Sequence, residues 1–146
     1  MKKRTQTKRI VVHCSATKAH QTHVDAALIR DWHVNDNGWS DIGYNAVILR
    51  DGTIEMGRQE GAAGAHARGY NHDSFAICLV GGMAIDGSAE NNFTKDQFES
   101  AELYIRGLLH WYQGAEVIGH RDLPGVTKQC PCFDVQPWWS ELNEMA

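Results

Sequence analysis

Hydrophobic and polar positions switch between two periods along this chain, and the switches mark its elements. Lys8–Cys14 carries Ile10, Val11 and Val12 in a row, which predicts a strand covered on both faces. Thr22 and Asp25 then have capping-box spacing, a carboxylate three residues beyond a hydroxyl. They predict a helix whose apolar face is Val24, Ala27, Leu28 and Trp32. Gly38 and Gly43 break the chain. Beyond them Tyr44–Leu49 and Thr53–Met56 flank Asp51-Gly52, a strong hairpin signal. Gly57–Asp73 holds four Gly, two His and few large apolar residues, which predicts a surface loop. Phe75–Val80 reads as a central strand stopped by Gly81-Gly82.

Thr94 and Gln97 form a second capping box. The helix they open carries Phe98, Ala101, Ile105, Leu108, Leu109 and Tyr112 on one stripe, and Gly114 closes it. Glu116–Gly119 is a short strand, His120–Phe133 is irregular, and Asp134 can cap a last helix bearing Trp138 and Trp139. Strands and helices alternate, and the hairpin adds an antiparallel pair. The fold class is therefore α/β, one domain with a central mixed β-sheet flanked by helices. A length of 146 residues suits that single domain.

Charge changes the picture at the N-terminus. Five of the 14 basic residues lie among the first nine positions, leaving nine to face 18 acidic ones. Residues 1–8 thus read as a basic, flexible tail ahead of a folded, acidic body, 9–146. An acidic body is poor material for a nucleic-acid reader, which must neutralise phosphates. No apolar run approaches the ~20 residues of a membrane span. The basic start meets Ile10-Val11-Val12 and then His13, without the ~7–15 apolar residues of a signal peptide, so a cytosolic chain is expected. Cys14 and Cys78 fall in strands and read as small buried side chains, whereas Cys130 and Cys132 sit too close to bridge each other comfortably. A thiolate metal ligand is then worth weighing against a disulfide framework.

His13 and His120 both stand at the ends of buried strands, where α/β sheets place their sites. Cys130 follows His120 by ten residues on a loop able to fold back. Two His and one Cys make a three-donor zinc site that keeps its fourth position open, the catalytic arrangement. Their summed charge of about −1 leaves a bound dication net positive. A histidine at a strand end is, however, more often a satisfied polar residue than a ligand. Tyr44, a phenol after a glycine at a strand start, and Lys128, on the same loop as Cys130, add a proton-holding group and a cation. Amide hydrolysis needs both kinds of group.

At this point the chain resembles a known family. The segments are Val12-His13-Cys14-Ser15-Ala16-Thr17, Gly38-Trp39-Ser40-Asp41-Ile42-Gly43-Tyr44, Arg50-Asp51-Gly52-Thr53 and His66-Ala67-Arg68-Gly69-Tyr70-Asn71-His72. Cys78-Leu79-Val80-Gly81-Gly82, Gly119-His120-Arg121-Asp122, Lys128-Gln129-Cys130-Pro131 and Phe133-Asp134 with Trp138-Trp139 continue the series. In this order they resemble the zinc-dependent N-acetylmuramoyl-L-alanine amidases of the type-2 amidase and peptidoglycan-recognition family, closest to single-domain phage members of the T-odd coliphage type.

The resemblance implies one zinc per chain on His13, His120 and Cys130, with Tyr44 and Lys128 as the catalytic pair. It places His66 in the substrate groove near the metal, with Asn71 and His72 beside it ordering the loop; plain hydrogen bonding within the loop accounts equally well for the two histidines. Asp122 is expected to orient the backbone or His120. Cys132 stands where relatives carry a small residue, so the Cys-Pro-Cys run leaves two sulfurs to choose between, and the match of Lys128-Gln129-Cys130-Pro131 favours Cys130. The implied substrate is bacterial peptidoglycan, cut at the amide between N-acetylmuramic acid and L-alanine. The implied setting is the host cytoplasm, with release to the wall through a holin, and a monomer is expected. Two rivals follow from the same family: a peptidoglycan-binding module without turnover, and inhibitory binding to a phage RNA polymerase, for which residues 1–9 are the place to look.

Overall fold

Ile10, Val11 and Val12 are buried because their strand, β1 (Arg9–Cys14), lies inside a sheet with a parallel neighbour on each side. The computed structural model describes residues 2–145. β1 pairs with β5 (Ser74–Leu79) on one side and β7 (Glu116–Gly119) on the other. Next to β5 lies β3 (Ala46–Ile48), also parallel, and the antiparallel β4 (Ile54–Met56) closes that edge. The five strands run in the order β4-β3-β5-β1-β7. A separate short pair joins β2 (Thr17–Lys18) to β6 (Gly82–Met83). The sheet is mixed, with the hairpin as its antiparallel part.

Both faces are covered. On one, Ile10, Val12, Ile48, Phe75, Ile77 and Leu79 meet Ala101, Ile105 and Leu108 of α2 (Lys95–Trp111), and Val135 and Trp139 of α3 (Val135–Met145). Each aliphatic side chain fully buried this way contributes about 1.5–3 kcal/mol of transfer free energy. On the other face Val47, Cys78 and Val80 pack with Ile42, Val24 and α1 (Ala26–Asp31). The expected α2 capping box is formed: Thr94 accepts from Gln97 N, and the Gln97 side chain accepts from Thr94 N at 2.9 Å. Gln97 is itself buried, its amide donating to Ile48 O and Val80 O, so the cap also fastens the helix to two strands.

Two local expectations change. Asp25, not Thr22, caps α1, accepting from Leu28 N at 2.9 Å. The helix consequently turns Ala26 and Ile29 into the core, with Leu28 and Trp32 partly buried and Ala27 exposed, before widening into a π-turn over Trp32–Asp36. The N-terminal segment expected as a solvated tail lies along the body. Arg4 N donates to Gly61 O and Lys8 N to Asp73 O, while the Arg4 guanidinium donates to Tyr112 Oη at 3.0 Å and stacks over Phe75 and Tyr112. Arginine's planar head lets one side chain bond and stack at once.

The parallel order matters most for chemistry. β1 and β7 end at the same edge, with Val12 opposite Gly119, so the next residues, His13 and His120, emerge side by side.

Candidate functional site

Strand register brings the first two donors together, and a glycine admits the third. His13 and His120 have ring centroids 4.3 Å apart. Asp122 accepts from Gly119 N at 2.8 Å and closes the short 3-10 turn that carries His120. A side chain at Gly119 would start 2.9 Å from Pro131 Cδ, so its hydrogen lets the Cys130 loop pack onto the end of β7. That loop is pinned by Arg121 N donating to Cys130 O at 2.9 Å. The outcome is a cluster in which one donor atom each of His13, His120 and Cys130 lies within 4.8 Å of the others.

The hydrogen bonds around His13 fix which of its nitrogens is available. Ser74 Oγ donates its single proton to Tyr70 O at 2.6 Å, so it accepts from His66 Nε2 at 3.0 Å. His66 Nδ1 therefore carries a lone pair and accepts from His13 Nε2, 2.8 Å away. This leaves the lone pair of His13 on Nδ1, which faces Cys130 Sγ at 3.9 Å. Metal-bound histidines are ordinarily oriented by such a bond from the second nitrogen. On the sulfur side, Cys14 N donates to Cys130 Sγ at 3.2 Å.

Electrostatics keep the imidazoles neutral. His13 is 2% exposed, and burial lowers its pKa well below the usual value, helped by His66, His120 and Lys128. Burial takes His66 down to about 3, with His120 and two arginines adding to the shift. His120 is lowered by burial and then by Lys128. Neutral imidazoles beside a thiol, with a cation close by, are a donor set for a divalent metal of the zinc type.

Tyr44 and Lys128 flank this cluster. The Tyr44 ring lies 5.1 Å from that of His13, and burial raises its phenol well above 10, so it stays protonated. Behind it, the chain is held by Arg58, a buried guanidinium donating to Ile42 O, Ala63 O and Asp41 O. Lys128 is exposed and, with His66, Asn71 and His120, lines a groove of about 540 Å³ whose walls include Trp39, Arg68 and Tyr70. Among the described residues, none that lines it is acidic.

The other sequence candidates divide. Asn71 Oδ1 accepts from His66 N and Ala67 N at 2.9 and 3.0 Å, shaping the loop that presents His66. His72 lines a neighbouring hollow with Lys2 and Arg58 rather than this groove, and its Nε2 lies 3.7 Å from Asp73. Cys132 lies outside the donor cluster, its Sγ donating to Gly82 O at 3.3 Å. Trp39 is 37% exposed on the groove wall, whereas Trp138 and Trp139 pack in the core. Sequence reasoning did not find Ser74, the end of the histidine chain, or Arg58; neither sits in a motif whose spacing announces chemistry.

Comparison with known proteins extends the geometry. The family described as N-acetylmuramoyl-L-alanine amidase matches residues 3–133. The endolysin of Escherichia phage T7 is 46% identical over 144 residues, covering 99% of this chain and 92% of its own length. Among solved structures, the N-acetylmuramoyl-L-alanine amidase LysC from Clostridium intestinale aligns with a TM-score of 0.77 at 28% identity, covering 96% of this chain and 85% of that one. Drosophila PGRP-LB aligns with a TM-score of 0.76 at 23% identity over 96% of this chain and 86% of its own, a likeness of fold.

Proposed function

The chain belongs to the N-acetylmuramoyl-L-alanine amidase family, and from that premise we propose how its groove performs peptidoglycan hydrolysis. The enzyme cuts the amide between the lactyl group of N-acetylmuramic acid and L-alanine of the stem peptide. The single observation carrying the catalytic reading is the three-donor cluster of His13, His120 and Cys130, whose His120 lines a groove with no acidic side chain among the described residues.

In this reading, zinc would be held by His13 through Nδ1, by His120 and by Cys130. When bound, zinc supplies Lewis acidity toward a carbonyl oxygen and lowers the pKa of water. Lys128, at the groove edge beside His120, places a cation where the carbonyl oxygen gains negative charge. Tyr44, kept protonated by burial, donates a hydrogen bond to that oxygen or a proton toward the departing amine. His66 accepts from His13 Nε2 and holds the ring with Nδ1 toward Cys130. Asn71 shapes the backbone that carries His66, and Trp39 and Tyr70 offer flat walls to a peptide or sugar.

The T7 endolysin relative supports a role in host lysis. Synthesis in the host cytoplasm and passage to the wall through a holin belong to the same proposal. Among the described residues no helix is long and apolar enough to cross a membrane. Neither recognition without turnover nor binding of a phage RNA polymerase is favoured by any feature of the groove. The zinc assignment is tested by elemental analysis and chelation. One zinc per chain, with activity lost on chelation and regained with zinc, supports it; full activity in metal-free protein contradicts it.

A further inference from the structure

The loop after His120 presents two sulfurs to two successive residues of β1. Cys130 Sγ faces His13, and Cys132 Sγ lies 4.0 Å from Cys14 Sγ. The turn that does this is closed by Cys132 N donating to Gln129 O at 2.8 Å, and Cys132 adopts a φ of +72°, a backbone conformation that costs a side-chain-bearing residue energy. Strand alternation alone would send Cys14 away from the site, but the loop wraps the strand end and meets it. Gly82 completes the enclosure: a Cβ there would stand 2.8 Å from Cys14 Sγ, and its carbonyl accepts from Cys132 Sγ.

We propose that Cys14 and Cys132 are a disulfide site, closed when the chain leaves a reducing cytosol and meets a disulfide oxidant. A disulfide needs about 2.05 Å between sulfurs, so side-chain rotation must close about 2 Å. Cys132, partly exposed, opens the exchange: its sulfur attacks the oxidant's S–S bond, forming a mixed disulfide and releasing one thiol. Cys14, 6% exposed, then attacks the Cys132 sulfur, forming Cys14–Cys132 and releasing the second thiol. Two thiol protons and two electrons pass to the oxidant, which is reduced from one disulfide to two thiols.

The bond would tie the segment carrying Lys128 and Cys130 to the strand carrying His13. It would also close a loop reaching from residue 14 to 132, most of the chain, and long loops gain the most from cross-linking. Exclusion of Cys130 from the exchange rests on the metal reading above. The cross-link itself does not.

The test uses the full-length, zinc-loaded chain incubated with oxidised glutathione, then digested without reduction for mass spectrometry. The expected product is about 2 Da lighter, joins the peptides of Cys14 and Cys132, and leaves Cys78 and Cys130 as thiols. Its Tm should exceed that of the reduced chain by roughly 5–15 °C, and dithiothreitol should reverse the shift. Cys132→Ser should show neither cross-link nor shift. Cys14→Ser should stop at glutathione on Cys132. Glutathione remaining on Cys132 of the unmodified chain, no reaction at all, or a bond to Cys130 would each overturn the proposal, whatever the amidase activity.

Discussion

His13 Nε2 and His66 Nδ1 stand 2.8 Å apart, and the proton between them belongs to His13. Ser74 decides this from two bonds away, because its hydroxyl is spent on Tyr70 O and can only accept from His66. A tautomer at the candidate metal centre is thus set by a serine at the start of β5.

That chain assigns His66 to positioning, which separates it from a substrate-binding side chain. His66→Ala should weaken zinc retention by about 10–100-fold, with turnover partly rescued by added zinc. Ser74→Ala should do the same more weakly. Competition with a calibrated chelator measures both. Unchanged zinc affinity with a raised KM would make His66 a groove residue instead.

The two sulfurs of the Cys-Pro-Cys run should behave differently. Cys130→Ser should abolish turnover and strip zinc during purification, since among the described residues Cys130 alone joins the two histidines. Cys132→Ser should keep zinc and near-normal turnover. Equal losses in both would break the ligand assignment.

Tyr44 and Lys128 act on charge in the transition state in this account. Tyr44→Phe retains the ring beside His13, and Lys128→Ala removes the exposed cation. Each should lower kcat by roughly 10²–10³ while zinc content and wall-fragment binding persist. Near-normal kcat would remove them from the chemistry; loss of zinc would make them supports of the site.

Acid should act through the histidines. His13, His66 and His120 all have pKa values lowered by folding, His66 to about 3. The unfolded chain then binds more protons than the folded one, so this contribution is present above the unfolded value of about 6.5 and is lost as pH falls toward 3. Urea denaturation of chelated protein should show stability declining below pH 6.5. His66→Gln should flatten that slope; a variant slope equal to the parent's would refute the assignment.

The sheet could be read from the sequence because buried parallel strands leave unbroken apolar runs. Ile10-Val11-Val12 and Val117-Ile118 mark two such strands, and His13 and His120 follow at their ends on one edge. The histidine chain could not be read, because it depends on how the Gly57–Asp73 loop folds back. Asn71 bonds two backbone amides there, and Arg58 is buried against three carbonyls, long-range facts with no local period. The meeting of Cys14 with Cys132 was hidden for a similar reason: strand alternation describes a strand's interior, and this contact forms at its end. Capping at Asp25 over Thr22 was a choice between two adequate caps, settled by which turn of α1 buries Ile29.

The central claim is which bond is broken. Purified peptidoglycan digested with the zinc-loaded chain, then labelled at free amino groups, reads this directly. The account predicts new L-alanine amino termini accumulating with time, glycan strands of unchanged length, no new reducing sugar ends, and full suppression by chelation. New reducing ends, or new amino termini on any other stem residue, would contradict it.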